Sequence, residues 1–330
     1  MRLSQTGMLI KGQPMFEILE RTQDFERQGV EISHFEIGEP DFETPDHIAN
    51  AAIEAIRDGD TRYAPSSGTY NFKEAVVAAS ATSRGVDLKH SQIVVTPGAN
   101  ALIYLALRCL VDPGDMVAVP DPGFPTYLLA THACGANPVP YKINVDGGFG
   151  LDRDSLIKAV DSGPRVLILN SPSNPTGHLL TAQEIGFISE VCRKKGVFLV
   201  SDEIYARLVF RDEQFVSASD FDKEFKNLLI INGFSKTFSM TGWRLGVGIT
   251  NETLAEKMGL LVSTILSCVP PFIQAAGTAA IRGDQSVQRM MTSEYQARAE
   301  VMAERLDRMQ GISCSKPAGA IYVFPNIRGT

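Results

Sequence analysis

Residues 165–203 read RVLILNSPSNPTGHLLTAQEIGFISEVCRKKGVFLVSDE. The two ends of this stretch, RVLILN and VFLVSDE, are short runs rich in Val, Ile and Leu, which is typical of strands buried on both faces. Between them, apolar residues recur at helical spacing, with Thr181 as the N-cap, Glu184 at the capping-box position and Gly196 as a stop. The order strand, helix, strand predicts a mostly parallel sheet with helices on both faces.

The same pattern continues on either side of this stretch. LLIING (228–233) and RLGVGI (244–249) are further buried runs, and IVVTPGANALIYLALRCL (93–110) is a strand, a glycine turn and an amphipathic helix. The segment 285–310 has the periodicity of a long helix, which we expect to leave the large domain. The sequence therefore predicts an α/β fold of three layers, a mostly parallel sheet between helices, plus a smaller and incomplete α+β domain.

These patterns predict three parts along the chain. Residues 1–44 are assigned to an N-terminal arm and part of the small domain, and the first forty residues are expected to be rich in loops. Residues 45–285 are assigned to the large domain, and residues 286–330 to the start of a C-terminal small domain.

The totals exclude several classes of protein. The chain has 330 residues, is 44% hydrophobic and carries a net charge of −7 without a basic cluster, so a nucleic-acid surface is not expected. Its apolar runs are shorter than a membrane span, and its first residues lack a signal peptide. The five cysteines are scattered without CxxC spacing, which predicts reduced thiols in a cytoplasmic protein. The histidines lack the spacing of a helical metal pair, so no metal is expected.

Polar side chains follow three predicted strands at the points where those strands end. Asn174 follows RVLILN, Asp202 and Tyr205 follow VFLVS, and Ser235 and Lys236 follow LLIING. Taken singly, these residues fit a turn, a helix cap, a core aromatic and a solvated lysine. In an open parallel sheet, however, ligands bind beyond the carboxyl ends of the strands. We therefore expect these residues to form one site.

Pyridoxal phosphate is a ligand whose chemistry would use all of these residues. Its aldehyde forms a Schiff base with a lysine such as Lys236, and its ring nitrogen needs a carboxylate such as Asp202. Its phosphate binds arginine and helix N-terminal amides. Arg244 is a candidate for the arginine, although alone it also fits a surface ion pair. The helix that begins after Gly98 could supply the amides, although this segment also fits an ordinary strand–turn–helix joint.

With these residues in place, the sequence resembles the fold-type I, pyridoxal-phosphate-dependent aminotransferases of the aspartate aminotransferase class (class I/II). The resemblance covers nearly the whole chain. The segments that carry it occur in the family's order: GEPDF, YAPSSG (63–68), VTPGAN, DPGFPTY, NSPSNPTG, SDEIY, GFSKTFSMTGWRLG and GAIYVFP.

The resemblance implies roles for the residues that contact the cofactor ring. Lys236 would be the internal-aldimine lysine and the base that moves the Cα proton. Asp202 would hold the pyridinium, and Tyr205 and Asn174 would hydrogen-bond the ring's 3-oxygen. Phe124 would stack on the ring face, although it also fits a plain core aromatic.

The phosphate and the substrate also receive residues from the resemblance. Ser235, Arg244 and the amides of Ala99 and Asn100 would bind the phosphate. Tyr63 would reach the phosphate of a neighbouring subunit, which implies a homodimer. A further residue, Gly38, would lie near the substrate carboxylate.

The implied reaction is transamination between an amino acid and a 2-oxo acid with ping-pong kinetics. In the family, GAIYVFP is followed by more of the small domain, including an arginine that clamps the substrate α-carboxylate. Here the sequence ends at FPNIRGT, and we expect that part to be absent. Two alternatives stay open: a β-lyase or decarboxylase of the same fold, and a non-catalytic binding module. A nicotinamide dehydrogenase is not supported, because GVGITN lacks the last glycine of G-x-G-x-x-G.

Overall fold

The computed structural model describes residues 2–145, 148–211 and 213–330. Within these residues, eight strands form one sheet. The strands are β1 (Ile93–Thr96), β2 (Met116–Asp121), β3 (Asn137–Asn144), β4 (Gly150–Leu151), β5 (Val166–Asn170), β6 (Phe198–Asp202), β7 (Leu228–Gly233) and β8 (Gly246–Ile249).

Helices precede, separate and follow these strands. They are α1 (Gln5–Leu9), α2 (Pro14–Arg27), α3 (Asp46–Arg57), α4 (Tyr70–Arg84), α5 (Ala99–Leu110), α6 (Pro125–Ala133), α7 (Arg153–Asp161), α8 (Ala182–Lys195), α9 (Glu252–Ile265), α10 (Pro271–Arg282) and α11 (Ser286–Asp307).

The sheet is mostly parallel, as the sequence predicts. Its strand order is β1-β8-β7-β6-β5-β2-β3-β4. The five central strands from β7 to β3 pair in parallel, whereas β8 runs antiparallel to both of its neighbours and β4 runs antiparallel to β3. The carboxyl ends of β5, β6 and β7 therefore meet at one edge of the sheet.

Both faces of the sheet are covered by helices. Along β5, Leu167 and Leu169 enter one apolar core, whereas Val166 and Ile168 enter the other, because successive strand residues point to opposite faces. Helices α3, α4, α7, α8 and α10 complete the first core, and α5, α6 and α9 complete the second. This confirms the three-layer arrangement.

The helix between β5 and β6 begins and ends as the sequence predicts. The Thr181 hydroxyl accepts a hydrogen bond from the Glu184 amide at 3.2 Å, and the Glu184 carboxylate accepts one from the Thr181 amide at 2.8 Å. Gly196 closes α8 in the left-handed conformation, at φ 68°. These local signals fix the crossover that places β6 beside β5.

The expectation of a loop-rich N-terminus is wrong for residues 14–27, which form α2. Pro14 begins this helix at a position where its missing N–H costs no hydrogen bond. None of its residues is buried within this chain, although its sequence carries apolar side chains such as Phe16, Ile18 and Phe25. Residues 28–45 are irregular, as expected.

A third, smaller apolar cluster lies beside α11. Met291, Tyr295 and Ala299 of α11 pack there with residues 204–210, which follow β6, and with the segment 320–323. The boundaries expected at residues 44 and 285 stay a prediction. Among the described residues, none of the helices combines the length and the apolar character of a membrane-spanning segment.

Candidate active site

The first part of the site lies where β5 and β6 end. Asn170 and Asp202 are paired in the parallel ladder, and the Asn170 side-chain amide donates to the Asp202 carbonyl at 2.9 Å. The Asn170 side-chain oxygen accepts from the Asn174 amide at 2.7 Å. Asn170 therefore holds the NPTG turn, and with it Asn174, against the end of β6.

Asp202 is a buried carboxylate at the end of β6. It accepts hydrogen bonds from the Tyr127 hydroxyl at 2.8 Å and from the Ile204 amide at 3.2 Å. Burial raises the pKa of Asp202 to about 6, and the hydrogen bond from Tyr127 opposes this shift. A buried carboxylate with so few partners is suited to pair with a cation that enters the site.

Tyr205, Asn174 and Tyr322 share one hydrogen-bonded group. The Asn174 side-chain amide donates to the Tyr322 hydroxyl at 3.0 Å, and the hydroxyls of Tyr205 and Tyr322 lie 2.6 Å apart. Burial is the main cause that raises the pKa of Tyr322 to about 12. All three groups are therefore uncharged hydrogen-bonding groups at neutral pH.

Lys236 follows β7 at the same edge of the sheet, and its ammonium nitrogen donates to the Gly38 carbonyl. Burial is the main cause that lowers the pKa of Lys236 to about 8, Glu39 opposes the shift and Arg244 adds to it. At pH 7, roughly a tenth of such an amine is uncharged, far more than for an ordinary lysine. The side chain is thus prepared to act as a nucleophile or a base.

The segment 38–44 lies along the lysine loop, 235–244, and is bonded to it at several points. The Thr44 hydroxyl donates to the Ser239 carbonyl at 2.6 Å and accepts from the Trp243 indole at 3.0 Å. The Thr241 hydroxyl donates to the Glu39 carboxylate at 3.1 Å. Gly38 is therefore held beside Lys236 by more than one contact.

Arg244 lies at the N-terminus of α5. Its φ of 53° is left-handed, a conformation that is costly for a residue with a side chain. The guanidinium packs against Gly98 so closely that a methyl group on Gly98 would overlap it, and it donates to the Thr241 carbonyl at 2.8 Å. In residues 2–145, 148–211 and 213–330, Arg244 belongs to none of the ion pairs with acidic side chains.

The first turn of α5 adds backbone donors beside this cation. Gly98, the N-cap, has φ 82° and supplies no side-chain cap, so the amides of Ala99 and Asn100 face outward from the helix start. Ser235 is buried directly after β7. A guanidinium and a helix N-terminus both favour an anion, and their convergence here indicates an anion site.

Two of the expected residues lie further from this centre. Phe124 precedes α6, and its ring packs edge-on against the ring of Tyr127, with 5.6 Å between the ring centroids. Tyr127 in turn donates a hydrogen bond to Asp202, so one side chain separates Phe124 from Asp202. Tyr63 is 89% exposed, and among the described residues no hydrogen bond or ring contact includes it. The single chain therefore does not bring Tyr63 to the other residues.

Two further tyrosines belong to the site although the sequence patterns did not single them out. Tyr127 lies in DPGFPTY, and Tyr322 lies in GAIYVFP. Both motifs were recognised, but each hydroxyl bonds to a residue that is distant in the sequence. Tyr127 and Asp202 are 75 residues apart, and Tyr322 and Tyr205 are 117 residues apart. The one sequence signal for such a role is the residue type itself, because the hydroxyl of a buried tyrosine usually has a hydrogen-bond partner.

The residues present fit pyridoxal phosphate. A buried carboxylate, an amine with a lowered pKa and an anion site occupy one edge of the sheet, and they match the ring nitrogen, the aldehyde and the phosphate of that cofactor. Because Gly98 has no side chain, the Arg244 guanidinium can pack at the start of α5, beside the amides that would bind a phosphate.

Comparison with known proteins agrees with this chemistry. The family model "Aminotransferase class I and II" matches residues 30–330. A probable aspartate/prephenate aminotransferase of Aquifex aeolicus is 35% identical over 96% of this chain and 81% of its own length. An aromatic-amino-acid aminotransferase of Thermococcus litoralis is 37% identical over 92% of this chain and 79% of its own length. The crystal structure of the aspartate aminotransferase of Rhizobium meliloti superposes with a TM-score of 0.94 at 30% identity, over 100% of this chain and 83% of that one.

Proposed function

The chain belongs to the class I and II aminotransferases and performs pyridoxal-phosphate-dependent transamination between an amino acid and a 2-oxo acid, and we propose that Lys236 is the lysine that carries this reaction. The observation that carries the proposal is an amine of lowered pKa at the end of a buried strand, beside the substrate-side segment 38–44. When bound, pyridoxal phosphate supplies an aldehyde that an amine can attack and a ring that delocalises electrons freed at the substrate Cα.

Lys236 first holds the cofactor by a covalent bond and then acts as a base. When an amino acid takes its place on the cofactor, Lys236 would be released as an amine, and burial, which lowers its pKa to about 8, keeps more of that amine uncharged than in an ordinary lysine. That amine would then remove the proton from the substrate Cα and deliver it to the carbon that had been the aldehyde carbon of the cofactor. In the second half-reaction, a 2-oxo acid takes the amino group by the reverse steps, which gives ping-pong kinetics.

Asp202 keeps the ring nitrogen of the cofactor protonated. Its pKa of about 6 leaves it ionised at neutral pH, and its burial makes a nearby cation strongly favourable. Tyr205 and Asn174 bind the ring oxygen next to the aldehyde, and Phe124 covers one ring face. The support for the roles of Asn174 and Tyr205 is that both belong to the hydrogen-bonded group beyond the ends of β5 and β6.

Arg244, Ser235 and the amides of Ala99 and Asn100 would hold the cofactor phosphate. The support for this assignment is the guanidinium that packs on the N-terminus of α5 without an acidic partner among the described residues. Arginine and helix amides are the usual donors to phosphate. The segment 38–44 lies beside Lys236, and Gly38 is proposed to border the substrate α-carboxylate.

We propose that two copies of this chain form a dimer in which Tyr63 of one copy completes the phosphate site of the other. Tyr63 is exposed and has no partner among the described residues of its own chain. Apolar side chains of the N-terminal segment, among them Met8, Ile10 and Phe16, are also more than half exposed, which is typical of a surface that another chain covers.

The unpaired state of all five cysteines agrees with a cytoplasmic enzyme.

The relatives' names decide which amino acids are tested first. Those relatives are named for aspartate, prephenate and aromatic amino acids, so we propose aspartate or an aromatic amino acid as the amino donor. The test is a half-reaction: the purified protein is saturated with pyridoxal phosphate, and its visible absorption band is followed as L-aspartate or L-phenylalanine is added. Loss of the band with formation of the 2-oxo acid, and its return with 2-oxoglutarate, is the expected result.

Lys236→Ala should abolish the visible band and the half-reaction. The matched control is Lys73→Met, because burial lowers the pKa of Lys73 as well, and its amine donates to the Ser67 hydroxyl at 2.9 Å. The control should keep the band. A band that survives in Lys236→Ala and disappears in Lys73→Met would show that Lys236 is not the reactive lysine.

A further inference from the structure

Tyr322 lies between the residues assigned to the cofactor oxygen and the residue assigned to the substrate carboxylate. On one side its hydroxyl lies 3.0 Å from the Asn174 amide nitrogen and 2.6 Å from the Tyr205 hydroxyl. On the other side its ring packs on Gly38, where an added methyl group would lie 2.6 Å from the ring edge and 2.8 Å from the hydroxyl.

The backbone just before Tyr322 is hydrogen-bonded to the loops that follow β5 and β6. The Gly177 carbonyl accepts hydrogen bonds from the amides of Ala318 and Gly319 at 3.0 and 3.1 Å, and the Leu208 carbonyl accepts one from Ala320 at 2.8 Å. Ala320 itself has a left-handed φ of 61°. A non-glycine residue held in this conformation indicates that the position of the next residues is over-determined by their surroundings.

The hydroxyl contacts of Tyr322 affect how Tyr205 donates its own proton. The Tyr322 oxygen accepts from Asn174, so its own proton is free to be donated to Tyr205. A hydroxyl that accepts a hydrogen bond becomes a stronger donor, because linked hydrogen bonds polarise one another. Tyr205 can then direct its proton to the cofactor oxygen.

We infer that Tyr322 is a positioning residue for transamination: its hydroxyl orients Asn174 and Tyr205 toward the cofactor oxygen, and its ring sets the distance of Gly38 from them. This inference rests on the function proposed above for those three residues. One side chain thereby ties the binding of the substrate carboxylate to the hydrogen bonding of the cofactor, whichever amino acid is bound.

The test uses Tyr322→Phe, loaded with pyridoxal phosphate, and has a spectroscopic and a kinetic measurement. Donors to the anionic ring oxygen lower its affinity for a proton, so weakening them should raise the pH midpoint of the visible band by about half to one unit, the size of one hydrogen bond. Without the two hydrogen bonds that hold it, the ring can also move relative to Gly38, so the KM values for L-aspartate and L-phenylalanine should rise by the same factor, about three to tenfold, because both substrates share the α-carboxylate. We expect kcat to fall by a smaller factor than KM rises.

Two more variants keep the test decisive. Tyr141→Phe is the control, since Tyr141 is a fully buried tyrosine whose hydroxyl donates to the Ile168 carbonyl at 2.8 Å, and it should leave midpoint and KM unchanged. Gly38→Ala should displace the Tyr322 ring and reproduce both changes with the hydroxyl intact. Wild-type midpoint and KM values in Tyr322→Phe or, if that variant does not fold, in Gly38→Ala would overturn the inference. A wild-type protein without a Lys236-dependent band would instead overturn the proposed function, and the inference with it.

Discussion

Asp202 shows how one buried hydrogen bond adjusts the chemistry of a carboxylate. Burial raises its pKa to about 6 from an ordinary 3.8, and the Tyr127 hydroxyl, at 2.8 Å, limits the rise by stabilising the charged form. Because folding raises this pKa, the folded chain binds the proton more tightly, and the contribution to stability is present below pH 3.8 and lost as pH rises through about 6. Cofactor binding has the opposite dependence, since the ring nitrogen needs the ionised carboxylate.

Tyr127→Phe should therefore weaken the binding of pyridoxal phosphate most strongly near pH 6. The wild-type affinity is expected to fall as pH decreases through about 6, where Asp202 takes up a proton. Without the Tyr127 hydrogen bond, this midpoint should move upward by about half to one pH unit. This midpoint is measured by titrating the protein with pyridoxal phosphate at a series of pH values between 5 and 8, with Tyr141→Phe as the control. Equal midpoints in the two variants would show that Tyr127 does not stabilise the charged form of Asp202.

Strand β8 and helix α5 approach one another more closely than side chains would allow. Gly246 begins β8 directly against the start of α5, where a methyl group on Gly246 would lie 2.6 Å from the Gly98 carbonyl carbon and 2.8 Å from the Ala99 nitrogen. Arg244, two residues earlier, packs on Gly98 at the same helix start. The position of the proposed phosphate donors is thus a property of how two elements pack.

Gly246→Ala should separate β8 from α5 and weaken phosphate binding. The cost to stability should be about 1 to 3 kcal/mol, because a methyl group is forced against backbone atoms. The affinity for pyridoxal phosphate should fall more than the affinity for pyridoxal, which lacks the phosphate. Gly242→Ala, in the lysine loop that precedes β8, is the control, since a methyl group there meets no atom within 4 Å. Equal losses for both ligands would place the phosphate elsewhere.

The sequence predicted those parts of the molecule that depend on local signals. Strand ends, the cap at Thr181 and the helix after Gly98 follow from residues close together in the chain, and the parallel order of the sheet then places Asp202 and Lys236 at one edge. The contacts of Tyr127 and Tyr322 could not be predicted in this way, because they join distant segments and depend on side-chain directions. Helix α2 was missed for another reason: its residues were interpreted as part of a loop-rich arm, and none of them is buried within the chain.

The exposure of Tyr63 leads to a prediction about the whole assembly. If Tyr63 acts across a dimer interface, a chain that carries Lys236→Ala and a chain that carries Tyr63→Ala should complement each other. In a mixed dimer, the site with intact Lys236 receives Tyr63 from the other copy, so about a quarter of all sites should regain wild-type affinity for pyridoxal phosphate after random exchange. Tyr70→Ala, another exposed tyrosine, replaces Tyr63→Ala in the control mixture and should bind the cofactor normally before mixing. If Tyr63 instead acts within its own chain, every site in the mixed dimer lacks either the lysine or the tyrosine, and mixing restores nothing.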